Sequence, residues 1–231
     1  MDENKQNDAL ADSGHPSPHL TQLIEQLLQQ MKNDKATMDY IKPEMLPGID
    51  LYMDQVTTFM DEHLGNTKRY DNDKILTKTM INNYAKNNLL PPPEKKKYSG
   101  DHLLLLTFIY YLKSMLSMAD IEILLKPVRT QYFKNSSSDL GLNDIYNEVF
   151  KLQKSFQPEI MDDLFKKFKL SQNSFSHTPP DQADTLHSFA FVCSLCYDIF
   201  LKKQLVEKII DTMNRLDEPE KKGCKLYLGV K

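Results

Sequence analysis

Cys193-Ser194-Leu195-Cys196 has the spacing of a redox or metal-binding pair. Thiol chemistry needs an electropositive setting and a structural zinc needs four ligands. These two cysteines instead fall within an apolar helix, no second pair occurs, and Cys224 is the only other cysteine in the chain. Three apart on a helix, they read as small buried hydrophobes. His63, His102, His177 and His187 are scattered and match neither HExxH nor a triad spacing. His102, at a helix start, reads as structural or surface and not catalytic, and the adjacent Asp162-Asp163 reads as a solvated helix flank. The seven glycines are isolated, which excludes a dinucleotide fingerprint and a Walker loop, because both cluster glycines to bring backbone amides onto phosphate. No cofactor, no metal and no enzymatic activity are expected from these residues.

The remaining chemistry is cationic. Between Lys74 and Lys97, six lysines stand against Glu94, a local charge of +5. The chain as a whole carries −3, so its remainder carries −8. A small basic surface on an acidic body is the footprint of a protein that meets phosphate locally and stays soluble elsewhere. Within this segment, helical spacing over 77–87 turns Met80, Ile81, Tyr84 and Ala85 inward and Lys78, Thr79, Asn82, Asn83 and Lys86 outward. Asparagine can pair with adenine, threonine can touch thymine methyls or phosphates, and lysine supplies charge. Asn88 is placed to end the helix in the left-handed conformation. Pro91-Pro92-Pro93 then forces an extended path into the turn Glu94-Lys95-Lys96-Lys97-Tyr98, a small hairpin over 91–98.

The elements that must position this segment are helical. With 40% hydrophobic and 26% charged residues the chain can bury a core, and its Leu, Lys, Asn, Met and Gln favour helices over a large sheet. Spacing predicts helices over 18–32, 51–64, 77–87 and 102–114, then one from Ser117 that stops at Lys126 before Pro127. A helix through Leu142 to Phe156, another starting at Pro158, and a long one over 184–216 complete the set. The first half of that last helix is apolar nearly all round, which predicts burial on several sides. The acidic N-terminus is unlike a signal peptide, and the longest apolar run, Leu103 to Leu112, is about half the length that spans a bilayer. With an odd number of cysteines, this points to a reducing cytoplasm.

The run Ile81-Asn82-Asn83-Tyr84-Ala85-Lys86-Asn87-Asn88-Leu89-Leu90-Pro91 resembles the recognition helix and exit of the MerR superfamily of bacterial transcription regulators. Lys96-Lys97-Tyr98-Ser99, the helix with Leu103 to Leu112, and Leu116-Ser117-Met118-Ala119-Asp120-Ile121 continue that resemblance over roughly 51–126. The whole stretch from Asp50-Leu51-Tyr52-Met53-Asp54-Gln55 to Leu125 is similar to an uncharacterised bacterial family, domain of unknown function 1836. The MerR likeness implies a winged helix-turn-helix that binds double-stranded DNA as a homodimer, with effector sensing or dimerisation beyond it. It implies groove contacts from Asn82 and Lys86, with Tyr84 supporting the helix, and phosphate contacts from Lys96 and Lys97. Asparagine at 82 and lysine at 96 stand where that superfamily usually has arginine, and the connector over 65–74 is longer than its tight turn.

The expectation is therefore an all-α protein, a MerR-like winged helix-turn-helix followed by a helical C-terminal domain. It divides into a disordered tail (1–16), an N-terminal helix and linker (17–48), a DNA-binding unit (49–128), a helical unit for dimerisation or an effector (139–216) and a tail (217–231). DNA contacts are expected from Lys78, Thr79, Asn82, Asn83, Lys86, Lys95, Lys96, Lys97 and Tyr98. The alternative is a protein-interaction module that keeps the winged-helix scaffold without binding DNA.

Overall fold

The helix Gly100–Leu112 (α4) carries GDHLLLLTFIYYL, with no polar face to offer to water. Such a helix must be covered on every side. The computed structural model shows how: His102, Leu103, Leu104, Leu105, Leu106, Thr107 and Ile109 are all buried. The described residues are 20–33, 40–134 and 140–217. The other helices are α1 (Leu20–Asn33), α2 (Met53–Leu64), α3 (Lys78–Lys86), α5 (Met118–Tyr132), α6 (Leu142–Gln172) and α7 (Pro180–Asp217). Among the described residues the one sheet pairs β1 (Leu51–Tyr52) antiparallel with β2 (Lys97–Tyr98). The protein is mostly helical, as composition predicted. Among the described residues, no helix is long and apolar enough to cross a membrane. The expected tail at 1–16, the first two residues of the helix expected over 18–32 and the expected tail beyond 217 lie outside the described residues.

One core spans residues 41 to 150 and reaches α7. Val56, Met60 and Leu64 of α2, Ile81 and Tyr84 of α3, and Ile121 and Leu125 of α5 close on α4. Leu142, Tyr146 and Phe150 of α6 and Ile210 of α7 enter the same cluster. The helical unit expected to start at 139 thus shares its core with the segment before it. Tyr146 is fully buried, its ring 5.2 Å from that of Phe108 and 4.5 Å from that of Phe150. A smaller cluster of Leu28, Phe168 and Phe191 joins α1, α6 and α7 further out. Asp184 of α7 caps the start of α1, its carboxylate accepting from the Leu20 and Thr21 amides at 2.8 and 3.0 Å.

The structure corrects three expectations. The fifth helix does not stop at Lys126 but runs through Pro127 to Tyr132. A proline inside a helix costs about 3 kcal/mol, and here Val128 and Tyr132 beyond it pack on the core and offset that cost. Likewise no break occurs at Pro158: α6 is continuous, with Pro158 on an exposed stretch and Met161 and Phe168 buried beyond it. The first half of α7 is not buried on several sides. Ser188 and Phe191 are buried, but Phe189, Val192, Tyr197 and Phe200 are exposed, as are both cysteines, because α1 and α6 cover one side only.

A shared core makes a strong prediction. Tyr146→Ala, made in α6, is expected to destabilise the whole fold by about 3–5 kcal/mol, as truncating other buried aromatics does. Differential scanning calorimetry should show one transition moved to lower temperature; an unmoved first transition would mean that α6 folds separately.

Candidate nucleic-acid interface

The cationic segment is mounted on α2. Residues Gly65 to Thr77 connect α2 to α3, and the connector is fixed by its own packing: Ile75 and Leu76 are buried, and the Lys113 ammonium donates to the Ile75 carbonyl at 3.1 Å. Thr77 caps α3, its hydroxyl oxygen accepting from the Met80 amide at 3.2 Å. At the other end the Leu89 amide donates to the Tyr84 carbonyl and the Asn88 amide to the Ala85 carbonyl, with Asn88 at φ 55°. This is the Schellman arrangement, which satisfies the last carbonyls of a helix and sends the chain away sharply. Nine residues are held at both ends, Ile81 and Tyr84 are buried against α2, and the opposite face is free. Lys78, Thr79, Asn82, Asn83 and Lys86 are all exposed on that face, where spacing placed them.

After α3, Leu89 and Leu90 plunge into the core and the three prolines carry the chain out to a tight turn. The Lys97 amide donates to the Glu94 carbonyl at 2.8 Å and the Glu94 amide to the Lys97 carbonyl at 3.1 Å, so Lys95 and Lys96 alone form the loop. Both are left-handed, with φ 48° and 65°. Two central residues at positive φ make a type I′ turn, for which Asn-Gly is the usual sequence. A lysine there costs roughly 1 kcal/mol in backbone strain. Strain of this kind in an exposed turn points to a side chain kept for its chemistry.

The turn is fastened from three directions. β2 pairs with β1 in the register Leu51 to Tyr98 and Tyr52 to Lys97, and Lys97 lies 5.3 Å above the Tyr52 ring. Lys134, just past α5, donates from its ammonium to Glu94 at 2.7 Å and from its amide to Asp101 at 2.7 Å. That ammonium holds the Glu94 carboxyl below its ordinary pKa, first by the hydrogen bond and then by its charge. Third, His102 Nδ1 accepts from both the amide and the hydroxyl of Ser99 at 2.9 Å, which places the proton of the neutral ring on Nε2. Nε2 faces the carbonyls of Pro91 and Pro92 without a hydrogen bond of good geometry. The ring sits edge-on between Tyr98 and Phe133, with centroids at 5.3 and 4.8 Å.

Tyr98 was expected among the DNA contacts; it is 4% exposed and a core residue. Strand alternation explains this, since in a strand at 97–98 one side chain faces out and the next faces in. Lys78 is engaged with Asp54 of α2 in a surface ion pair. Lys86, Lys95 and Lys96 have no carboxylate within ion-pair distance among the described residues. The positive surface also extends from Lys74 to cations outside the 74–97 segment. A cleft of about 480 Å³ between the connector and the end of α4 is lined by Lys68, Arg69, Lys74 and Lys113, against one carboxylate, Asp73, with Tyr110 and Tyr111 beside them. Burial lowers the pKa of Lys113, whose ammonium also lies 4.8 Å over the Tyr110 ring. In the sequence Arg69 stands among Lys68, Asp71 and Asp73, whose charges mask it, and Lys113 follows an apolar run. Among the described residues no group of three or more histidine, cysteine or acidic side chains is arranged to hold a metal.

Residues 41–149 match the model of a family described as Domain of unknown function (DUF1836). The match covers the connector, α3, the turn and the helices beneath them, and ends within the first turns of α6. No curated protein matches the chain, and no solved structure does.

Two predictions come from the turn. Replacing Lys95-Lys96 by Asn-Gly relieves both left-handed positions, so the thermal midpoint should rise by a few degrees, about 2–4 °C for each kcal/mol recovered; a lower midpoint would contradict the strained turn. His102 is held below the ordinary 6.5, first by burial and then by Lys134. The unfolded chain then binds the proton more readily than the folded one, so stability is complete above pH 6.5 and falls as pH drops below it. Thermal midpoints measured from pH 7.5 to 5 should decline, and His102→Gln, which keeps an acceptor for the Ser99 amide, should flatten that decline.

Proposed function

We propose that this protein is a DNA-binding transcription regulator, in which α2, the connector and α3 act as a helix-turn-helix and the 94–97 turn as its wing. One observation carries the reading: two unpaired lysines held in left-handed conformations at the tip of a buttressed turn, following a capped helix whose free face is lysine, threonine and asparagine. A helix of this length fits the major groove of duplex DNA, and a cationic turn beside it can grip the adjacent phosphates. In this reading Asn82 and Asn83 read base edges. Lys86, Lys95 and Lys96 neutralise phosphates, and Lys78 joins them by exchanging Asp54 for a phosphate. Lys97, held over Tyr52, keeps the turn in place and adds charge. The chemistry is binding alone, with no catalytic step and no cofactor, and the reading places the protein in the cytoplasm. MerR regulators provide the analogy for this arrangement.

A second reading has its own support. The Lys78–Asp54 pair already occupies the first cation of α3, and the body of the chain is acidic. These favour a scaffold that docks a protein and not DNA.

Fluorescence anisotropy with mixed duplex fragments, titrated against salt, separates the two. The wild-type protein should bind with an affinity that falls steeply with salt. The Lys86→Ala/Lys95→Ala/Lys96→Ala variant should lose about 2.7 units of the log–log salt slope, about 0.9 for each phosphate contact. Absence of binding by a folded sample at low salt would overturn the regulator reading and favour the protein-docking one.

A further inference from the structure

Two bonds tie the connector to the end of α4, one near each end of the connector. The Thr67 and Tyr110 hydroxyls share a hydrogen bond, and the Lys113 ammonium donates to the Ile75 carbonyl at 3.1 Å. The cleft of about 480 Å³ between the two segments is therefore a fixed concavity. Its four cations are unequally matched. Lys68 is paired with Asp61 of α2 at 2.7 Å. The one carboxylate of the cleft, Asp73, is occupied in its own turn, accepting from the Tyr70 amide at 3.0 Å. Arg69, Lys74 and Lys113 have no carboxylate within ion-pair distance among the described residues.

Lys113 is the least usual of the three. Its ammonium is half-buried over the Tyr110 ring, and burial lowers its pKa with no neighbouring anion to offset the effect. Charges removed from water are ordinarily paired. One of its three N–H groups is spent on Ile75, which leaves two to donate. We propose that this cleft binds a nucleoside monophosphate, its phosphate held among Arg69, Lys74 and Lys113 and its base lying against the exposed ring of Tyr111. None of the residues of α3 or of the 94–97 turn lines the cleft, so the site is separate from the surface assigned to DNA.

Charge and shape together select this ligand class. Counting Asp61 and Asp73 against the four cations leaves +2. A phosphate monoester carries about −1.5 to −2 at pH 7 and matches that surplus, whereas a carboxylate or a backbone phosphodiester carries a single charge. The Arg69 guanidinium adds a planar fork that can bind two phosphate oxygens at once. The cations stand on the walls of a concavity whose volume lies in the ~300–1,000 Å³ range of small-molecule sites. A duplex offers its phosphates along a convex surface and cannot fill such a space. A phosphate alone leaves much of the cleft empty, and the rest is walled by Tyr110 and Tyr111. One face of Tyr110 is taken by Lys113, while Tyr111 is exposed at the rim. Every nucleobase has a face that stacks on such a ring.

The test is isothermal titration calorimetry on the full chain at about 0.15 M salt, where attraction to scattered surface charge is screened. The probes are inorganic phosphate, adenosine and the four 5′-ribonucleoside monophosphates. At least one nucleotide should bind once per chain and about tenfold or more tighter than inorganic phosphate, the gain expected from one stacked base. Adenosine, which lacks the phosphate, should show no saturable binding. Arg69 and Lys74 are exposed, so Arg69→Gln/Lys74→Gln should keep its helix content by circular dichroism while the dissociation constant of that nucleotide rises about tenfold or more. Tyr111→Leu, which keeps an apolar contact for Phe150, should bring the nucleotide to within a few-fold of inorganic phosphate. Lys95→Ala/Lys96→Ala, on the turn, should bind it as the parent does. The proposal is overturned if no nucleotide binds more tightly than inorganic phosphate, or if Arg69→Gln/Lys74→Gln or Tyr111→Leu leaves the constant unchanged. An equal loss in the turn variant would reveal attraction to charge in general and would also overturn it. So would displacement of the nucleotide by one equivalent of a duplex of about 20 base pairs, which would give the cleft to a DNA phosphate. The nucleotide measurements read the same whether or not the protein binds DNA, so they stand apart from the regulator reading.

Discussion

The burial of α4 is the constraint from which the rest of the structure follows. A helix with four consecutive leucines has no solvent-facing side, so it is stable only when surrounded. Each buried leucine is worth about 1.5–3 kcal/mol, which places a large share of the folding free energy in one element. α2, α3, α5 and the first turns of α6 are the walls, and their amphipathic stripes match that role. The same demand explains how α5 continues through Pro127, since the turn beyond the proline still contributes Val128 and Tyr132 to the wall.

The start of α4 also sets the position of the cationic turn. His102 belongs to the first turn of this buried helix, and its ring is the point at which Ser99, Tyr98 and Phe133 meet. The strand Lys97–Tyr98 ends one residue before Ser99, so the turn hangs directly on the most rigid part of the molecule. Lys134 adds a second tether from the end of α5. A two-residue loop held at both ends cannot relax its backbone, and this is how two lysines remain in a conformation that glycine or asparagine would adopt more readily.

Elements with a local chemical signal were legible in the sequence. α3 runs within one residue of its expected bounds because Thr77 caps it and Asn88 ends it, both by side-chain or backbone preferences that do not depend on the rest of the fold. The outward face of α3 was legible for the same reason. β1 was not, because two residues carry no periodicity. The run of lysines marked the turn, but their left-handed geometry gave no sign, since the usual glycine or asparagine is missing. Pro127 and Pro158 misled because a local penalty of a few kcal/mol is smaller than the burial that overrides it. Arg69 and Lys113 join one cleft only through the packing of the connector against α4, a contact between segments some 40 residues apart that no local pattern encodes.

The exposed cysteines show where reading by pattern meets a physical ambiguity. An apolar helix says that its surface will be removed from water, but it does not say by which chain. On α7 the covered side is taken by α1 and α6, and the uncovered side is as apolar as the covered one, so hydrophobicity alone could not distinguish them. The covered side places Ser188, Phe191, Leu195 and Asp198 at ordinary helical spacing, with Asp198 turned to Lys167 of α6. The bare side instead carries Phe189, Val192, Tyr197 and Phe200 with no charged residue among them. Which side of an apolar helix its own chain covers is thus readable only once the structure has shown how α1 and α6 lie against it.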